Sequence, residues 1–167
     1  MAHILERHAI CEDFAKEVSS VAKFNAGAEV VVAPDQVSIP TVYKYVKAAS
    51  ALTANQPYVL VDNKDGVTTA APATSTVAKI IGIPQVAIPS GSYGWVAIGG
   101  ICEAKTGIQA AGDTLEVLNG GNSLVVDGSS GSPAETANTV AVSVDAAAAA
   151  GVVKVNLLNK RVAIAAS

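Results

Sequence analysis

Few residues in this 167-residue chain have the chemistry of a catalytic centre. Its two histidines, His3 and His8, lie near the N-terminus among charged residues. A serine or cysteine nucleophile needs a neighbouring base, most often a histidine. Neither histidine lies in a pattern that supplies such a base, so we predict that the chain is not an enzyme.

One segment approaches the spacing of a phosphate-binding loop. Lys105 and Thr106 follow Gly99 at the required distance, but Ala104 stands where the loop needs its second glycine. The carboxylate of Glu103 would also repel a phosphate group. We therefore interpret the similarity as coincidental and predict no nucleotide-binding site.

Patterns for metals and cofactors are incomplete. Residues 62–66 read Asp-Asn-Lys-Asp-Gly, but Lys64 occupies a position that should bind calcium and no glutamate closes the loop. Cys11 and Cys102 are far apart, and neither belongs to a CxxC pair. We predict two free thiols, no metal and no cofactor. Free thiols fit assembly in a reducing cytoplasm.

The composition favours a folded, β-rich building block. Half of the residues are apolar, 15% are charged, and valine, isoleucine and threonine recur along the chain. The net charge is -3 and the lysines and arginines are scattered, which disfavours nucleic-acid binding. The uncharged stretch 80–102 contains prolines and glycines, so it predicts strands and turns instead of a membrane helix. The first residues do not resemble a secretory signal.

Residues 1–40 are predicted to form an N-terminal arm, either helical or extended. Apolar or weakly polar residues recur every three or four positions between residues 4 and 21, as on one face of a helix: Ile4, His8, Cys11, Phe14, Val18 and Val21. This helix could pack on its own domain or become ordered against a partner. The stretch from Pro34 to Pro40 interrupts any long helix and marks the end of the arm.

Residues 41–167 are predicted to form a small β-barrel or sandwich of short antiparallel strands. Residues 43–47 alternate apolar and charged side chains, and three hairpins follow: 57–61 with 67–69 across Asp65-Gly66, 80–88 with 93–98, and 115–118 with 123–126. Small polar residues at 127–138 predict an exposed loop. The alanine run 146–150 predicts a turn or a single helical turn before strands at 152–157 and 162–164.

Three stretches within these residues share a pattern of small side chains, glycines and aromatic residues. They are residues 43–53 with 57–59, residues 81–88 with Gly91-Ser92-Tyr93-Gly94-Trp95-Val96, Gly99-Gly100 and 111–113, and residues 141–145 with the alanine run 146–150 and 153–158. Their order and spacing resemble the small β-barrel decoration, or cement, proteins of tailed bacteriophage heads. The resemblance covers the chain from about Thr41 to its C-terminus and leaves residues 1–40 uncovered.

The resemblance implies a structural virion protein that binds the outer surface of the capsid and stabilises the shell. The implied partners are the major capsid protein and two further copies of the chain in a homotrimer, and the arm would reach a neighbouring capsid subunit. Four candidate interface residues follow, although each could instead belong to the barrel core: Tyr43, Tyr45, Tyr93 and Trp95. The alternative function is a head-fibre or surface adhesin module that binds a host receptor or glycan.

Overall fold

The structure is a computed structural model, and it describes residues 15–33, 39–62, 68–72, 79–117, 122–128, 139–159 and 161–162. Within these ranges the chain forms strands and turns without a helix, which confirms the predicted mainly-β barrel. The strands are β1 (Glu29–Val32), β2 (Thr41–Ala48), β3 (Tyr58–Asp62), β4 (Thr68–Pro72), β5 (Lys79–Pro84), β6 (Tyr93–Thr106), β7 (Thr114–Val117), β8 (Leu124–Val126), β9 (Ala141–Ser143), β10 (Gly151–Leu158) and β11 (Arg161–Val162). No helix in the described ranges is long and apolar enough to cross a bilayer.

Five strands close into a barrel in the order β2, β4, β3, β5, β6 and back to β2. The predicted hairpins appear as antiparallel pairs: β3 with β4, β5 with β6, and β7 with β8. The Asp65-Gly66 turn and most of the predicted 127–138 loop lie outside the described residues. The pairing of β2 with β4 is parallel, a contact that hairpin signals in the sequence do not predict.

The 14-residue strand β6 also belongs to a second circuit of strands. Beyond its pairing with β2 and β5, it pairs with β10, which continues through β9 and β7 to β8. A parallel contact between Thr106 and Leu124 returns the path to β6. Strand β6 therefore belongs both to the closed barrel and to this second ring of strands.

A glycine pair in the middle of β6 allows this double role. Gly100 has a φ of +79°, and a Cβ atom built on it would lie 1.8 Å from the carbonyl oxygen of Pro40. The register between β2 and β6 shifts by one residue here, as in a β-bulge. The extra residue changes the alternation, so Ala97 and Cys102 face the same core although their numbers differ in parity.

Two apolar clusters fill the fold. The first lies inside the closed barrel and consists of Val46, Ala48, Leu52, Tyr58, Leu60, Ile88, Val96 and Ile98. The second lies between the outer face of the barrel and the second ring, and consists of Val59, Ile81, Ile83, Ala97, Cys102, Ala104, Leu115, Val117, Leu124, Val140, Ala141, Val155 and Leu157. Because β6 contributes to both clusters, the two rings form one packed body.

The helix predicted for residues 4–21 does not form in its described part. Residues 15–21 are turn and extended backbone, and Ser19 bridges to Tyr93 instead of continuing a helix. Two serines and the following Asn-Ala-Gly favour turns over helix, and pairing with β6 provides the backbone partners that a short helix would have to supply itself. In residues 15–33 the predicted arm therefore consists of turns, bends and one bridge, followed by strand β1, which pairs with β2.

The alanine run 146–150 is a turn, as one of its two interpretations predicted. Ala147 forms a bridge with Gln109, and the other alanines are exposed around it. The strand after this run is β10, which confirms the prediction for residues 152–157. The predicted strand at 162–164 is described only as far as β11, which pairs with β5.

Candidate docking face on strands 2 and 6

The four aromatic residues predicted from the sequence lie on one face of the β2–β6 pair. Tyr45 is opposite Trp95 in the register, Tyr43 is opposite Ala97, and Tyr93 is opposite Lys47. Residues of the alternate parity, such as Val46 and Val96, point into the barrel. The aromatic residues therefore occupy the outer face, which we call the aromatic face.

Contacts between rings hold the aromatic face together. The Tyr45 ring centroid lies 5.0 Å from that of Trp95 and 5.9 Å from that of Tyr93, on which it stacks. The ammonium group of Lys47 sits 5.6 Å from the Tyr93 centroid, within range of a cation–π interaction. Such pairs each add about 0.5–1.5 kcal/mol beyond the burial of their area.

A segment of the N-terminal arm, residues 15–28, covers this face and is called the strap. Ser19 and Tyr93 exchange two backbone hydrogen bonds of 3.0 and 2.8 Å. The backbone N–H of Lys23 donates to the Tyr45 hydroxyl over 3.2 Å. The Phe24 ring packs 5.3 Å from the ring of Tyr45 in a T-shaped arrangement and 5.5 Å from that of Trp95. The strap thus seals the centre of the aromatic face.

The strap buries two of the four predicted interface residues and leaves the other two partly exposed. Tyr45 and Trp95 are each 2% exposed, so with the strap in place they contact the chain's own residues. Tyr43 and Tyr93 are half-buried and reach the surface at opposite ends of the face. An interface role for all four remains a prediction, and Tyr43 and Tyr93 are the ones that a partner can touch directly.

Beside Tyr43 lies a cavity of about 340 Å³. It opens where the end of β1, the start of β2 and the middle of β6 meet the first residues of the strap. Its lining combines four apolar or aromatic residues with two neutral polar and two charged ones: Ala15, Val32, Tyr43, Ile101, Thr41, Gln85, Lys16 and Glu103. Its volume lies in the range of protein binding sites for small groups.

Hydrogen bonds fix the walls of this cavity. The side-chain amide of Gln85 accepts from the Glu103 backbone N–H over 3.0 Å and donates to the Glu103 carbonyl over 3.1 Å. The Thr41 hydroxyl donates to the carbonyl of Ile101. These contacts occupy the edge of β6 beyond Gly100 in place of a neighbouring strand.

Within the described ranges, the charged residues that line the cavity lack the ion pairs that neighbouring charged residues form. Two ion pairs lie nearby, Glu17 with Lys23 and Glu29 with Lys44. Lys16 and Glu103 are exposed, and neither forms an ion pair with another described residue. The cavity therefore presents one positive and one negative group beside an apolar floor.

The described residues that the sequence analysis considered for chemistry and dismissed have unreactive surroundings. Burial, with a smaller contribution from the charge of Glu103, raises the pKa of Cys102 to about 12, so this free thiol is neutral at physiological pH. The near-match to a phosphate loop is continuous strand β6 and forms no loop. His3, His8 and Cys11 lie outside the described residues. Among the described residues, no three potential metal ligands come together.

The sequence interpretation missed Phe24, Lys16 and the role of Gln85. The helical period assigned to residues 4–21 ended before Phe24, so it gave no reason to place this ring on the barrel. Glu103 was considered from the sequence only as a residue that would repel phosphate. A useful signal was present in the run of small and polar residues around Phe24, because an isolated aromatic residue in such a segment needs a partner surface.

Comparison with known proteins gives an informative similarity of fold. No protein family matches the sequence, and no curated protein matches it. The structure is similar to the crystal structure of the N base of the head fiber gp8.5 in bacteriophage phi29, with a TM-score of 0.52 and 13% sequence identity. The similarity covers 74% of this chain and 99% of that one. At this identity it shows a shared fold.

Proposed function

We propose that this chain is a structural protein of a bacteriophage head, and that it binds the outer surface of the capsid as a decoration protein. The observation that carries the proposal is the shared fold with the N base of a phage head fiber, a module whose chain is matched over 99% of its length. The sequence resemblance to phage decoration proteins supports the same class independently of that comparison.

The distribution of exposed apolar residues supports a role in binding proteins. Half of the large exposed apolar side chains in the described ranges belong to the predicted arm, residues 1–40: Val21, Phe24, Val31 and Ile39. A decoration protein has to bury apolar surface against capsid subunits or against copies of itself. We infer that the arm contributes to the contact with the capsid, with the major capsid protein as partner and a homotrimer as the assembled form.

The second candidate is the base of a head fibre. It is favoured by the nature of the similar phage protein, which is itself the base of a head fiber. A decoration protein occupies the shell at high copy number and stabilises it, whereas a fibre base also carries a distal fibre that contacts the host. In either case the chain is a component of the virion, assembled in the host cytoplasm.

An add-back experiment tests the proposal. Heads are prepared from a phage mutant that lacks this protein, incubated with the purified chain, and sedimented. We expect the chain to sediment with the heads, to appear on their outer surface in cryo-electron microscopy, and to raise the temperature at which the heads release DNA. Binding without stabilisation, at a few sites that carry fibres in the wild-type virion, would favour the fibre base. Failure to bind heads would contradict both.

A further inference from the structure

We infer that the cavity beside Tyr43 is the point at which the capsid partner inserts a segment, and that this segment places an apolar side chain between one basic and one acidic group. The inference rests on the proposed function and specifies its contact surface. The cavity is called the docking cavity below, with the lining residues given above.

Charge complementarity is the first reason. Lys16 and Glu103 contribute opposite charges to one opening, while the neighbouring charged residues Glu17 and Glu29 are already paired with lysines. A partner segment that carries one acidic and one basic side chain satisfies both groups. Pairs of this kind set the orientation of a partner more strongly than they add affinity.

The apolar floor supplies the second reason. Ala15 and Val32 are buried, and Ile101 and Tyr43 are half-buried beside them. A segment with one apolar side chain therefore finds an apolar pocket.

The neutral polar groups of the cavity are already engaged within the chain. The amide of Gln85 is engaged by both backbone groups of Glu103, and the hydroxyl of Thr41 donates to Ile101. What remains for a partner is mainly apolar surface and charge.

The walls are also formed before any partner binds. Bonds from Gln85 and Thr41 fix the backbone of β6 on one side, and the antiparallel pair β1–β2 forms the other. A preformed cavity avoids the entropy cost of ordering the binding surface at the moment of association.

Charge reversal in the full-length chain tests the inference by co-sedimentation with heads that lack the protein. We expect Glu103→Lys and Lys16→Glu each to weaken binding about tenfold or more, since like charges placed together in an interface are strongly unfavourable. The double reversal keeps the net charge at -3 and is expected to stay weak. Asp145→Lys makes the same change in charge as Glu103→Lys on an exposed turn of the second ring and should bind like wild type.

Each variant is first checked by thermal unfolding and by the fluorescence of Trp95, the single tryptophan. If a reversal impairs folding, Glu103→Gln and Lys16→Gln replace it, with a smaller loss of affinity expected. Wild-type affinity in the cavity variants, while the wild-type chain binds heads, would overturn the docking cavity and leave the proposed function intact. A wild-type chain that binds no heads would overturn both. Binding to a glycan array that Glu103→Lys abolishes would also contradict the inference.

Discussion

Replacing Phe24 by alanine should detach the strap from the aromatic face. Phe24 is 37% exposed, so roughly two-thirds of it is buried against Tyr45 and Trp95. Full burial of such a side chain stabilises a protein by about 1.5–3 kcal/mol, and each aromatic pair adds about 0.5–1.5 kcal/mol. Allowing for partial burial and for rings that repack, we expect Phe24→Ala to lower the free energy of unfolding by about 2 kcal/mol.

Trp95 makes this change directly observable. It is the single tryptophan and is 2% exposed, so loss of the strap should shift its emission to longer wavelength and increase its quenching by acrylamide. Urea unfolding, followed by fluorescence and by circular dichroism, gives the change in free energy. Val21→Ala is the matched control, because Val21 lies in the same segment but is 69% exposed. Unchanged emission and a stability loss below about 0.5 kcal/mol in Phe24→Ala would refute the packing argument.

The remaining predictions concern the edge of β6, the buried thiol, the bulge and the strap. Gln85→Ala should lower the free energy of unfolding by about 0.5–1.5 kcal/mol, measured in urea, because two exposed backbone groups of Glu103 exchange a protein partner for water. In a Cys11→Ser background, Cys102 should not react with a thiol reagent in the folded protein at pH 8. Folding raises the pKa of Cys102 from 9.0 to about 12. The contribution of this neutral thiol to the free energy of unfolding should therefore be complete below pH 9 and decrease as pH rises towards 12. Gly100→Ala should give insoluble or unfolded protein, as judged by circular dichroism, because the new Cβ atom would overlap the Pro40 carbonyl. Gly112 also has a positive φ but lies in open space, so Gly112→Ala should lower the free energy of unfolding by only about 1 kcal/mol. Deleting residues 1–25 should leave the barrel folded with Trp95 exposed and weaken head binding on the order of 10²-fold; equal binding would show that the arm makes no contact.

Strands and their faces could be predicted because they depend on local alternation. The Lys-Tyr alternation at residues 43–47 identified β2, and it placed Tyr43 and Tyr45 on one face before any partner strand was known. The hairpin signals gave three antiparallel pairs in the same way. Local chemistry is enough for these features, because the residues that determine them are neighbours in sequence.

Features that depend on distant segments could not be predicted. The first part of the strap, residues 15–21, was predicted to be helical because a spacing of three or four residues fits residues 4–21. Its non-helical form is explained only by the bridge between Ser19 and Tyr93. The parallel pairing of β2 with β4 and the double role of β6 join segments with no common turn. Glu103 became part of a candidate site only when Lys16 and Tyr43 were placed beside it.

The shared strand β6 has a mechanical consequence for the proposed role on a capsid shell. Its 14 residues span about 45 Å, and they are held by β2 on one part of their length and by β10 on another, both antiparallel. A pull along this strand loads the backbone hydrogen bonds of each pairing in shear, so several must break together before the strand slides. A pull across the sheet separates them one after another. The molecule should therefore resist force along β6 far better than force across it. In the proposed role, copies whose β6 strands lie along the direction of stretching would restrain a swelling shell best.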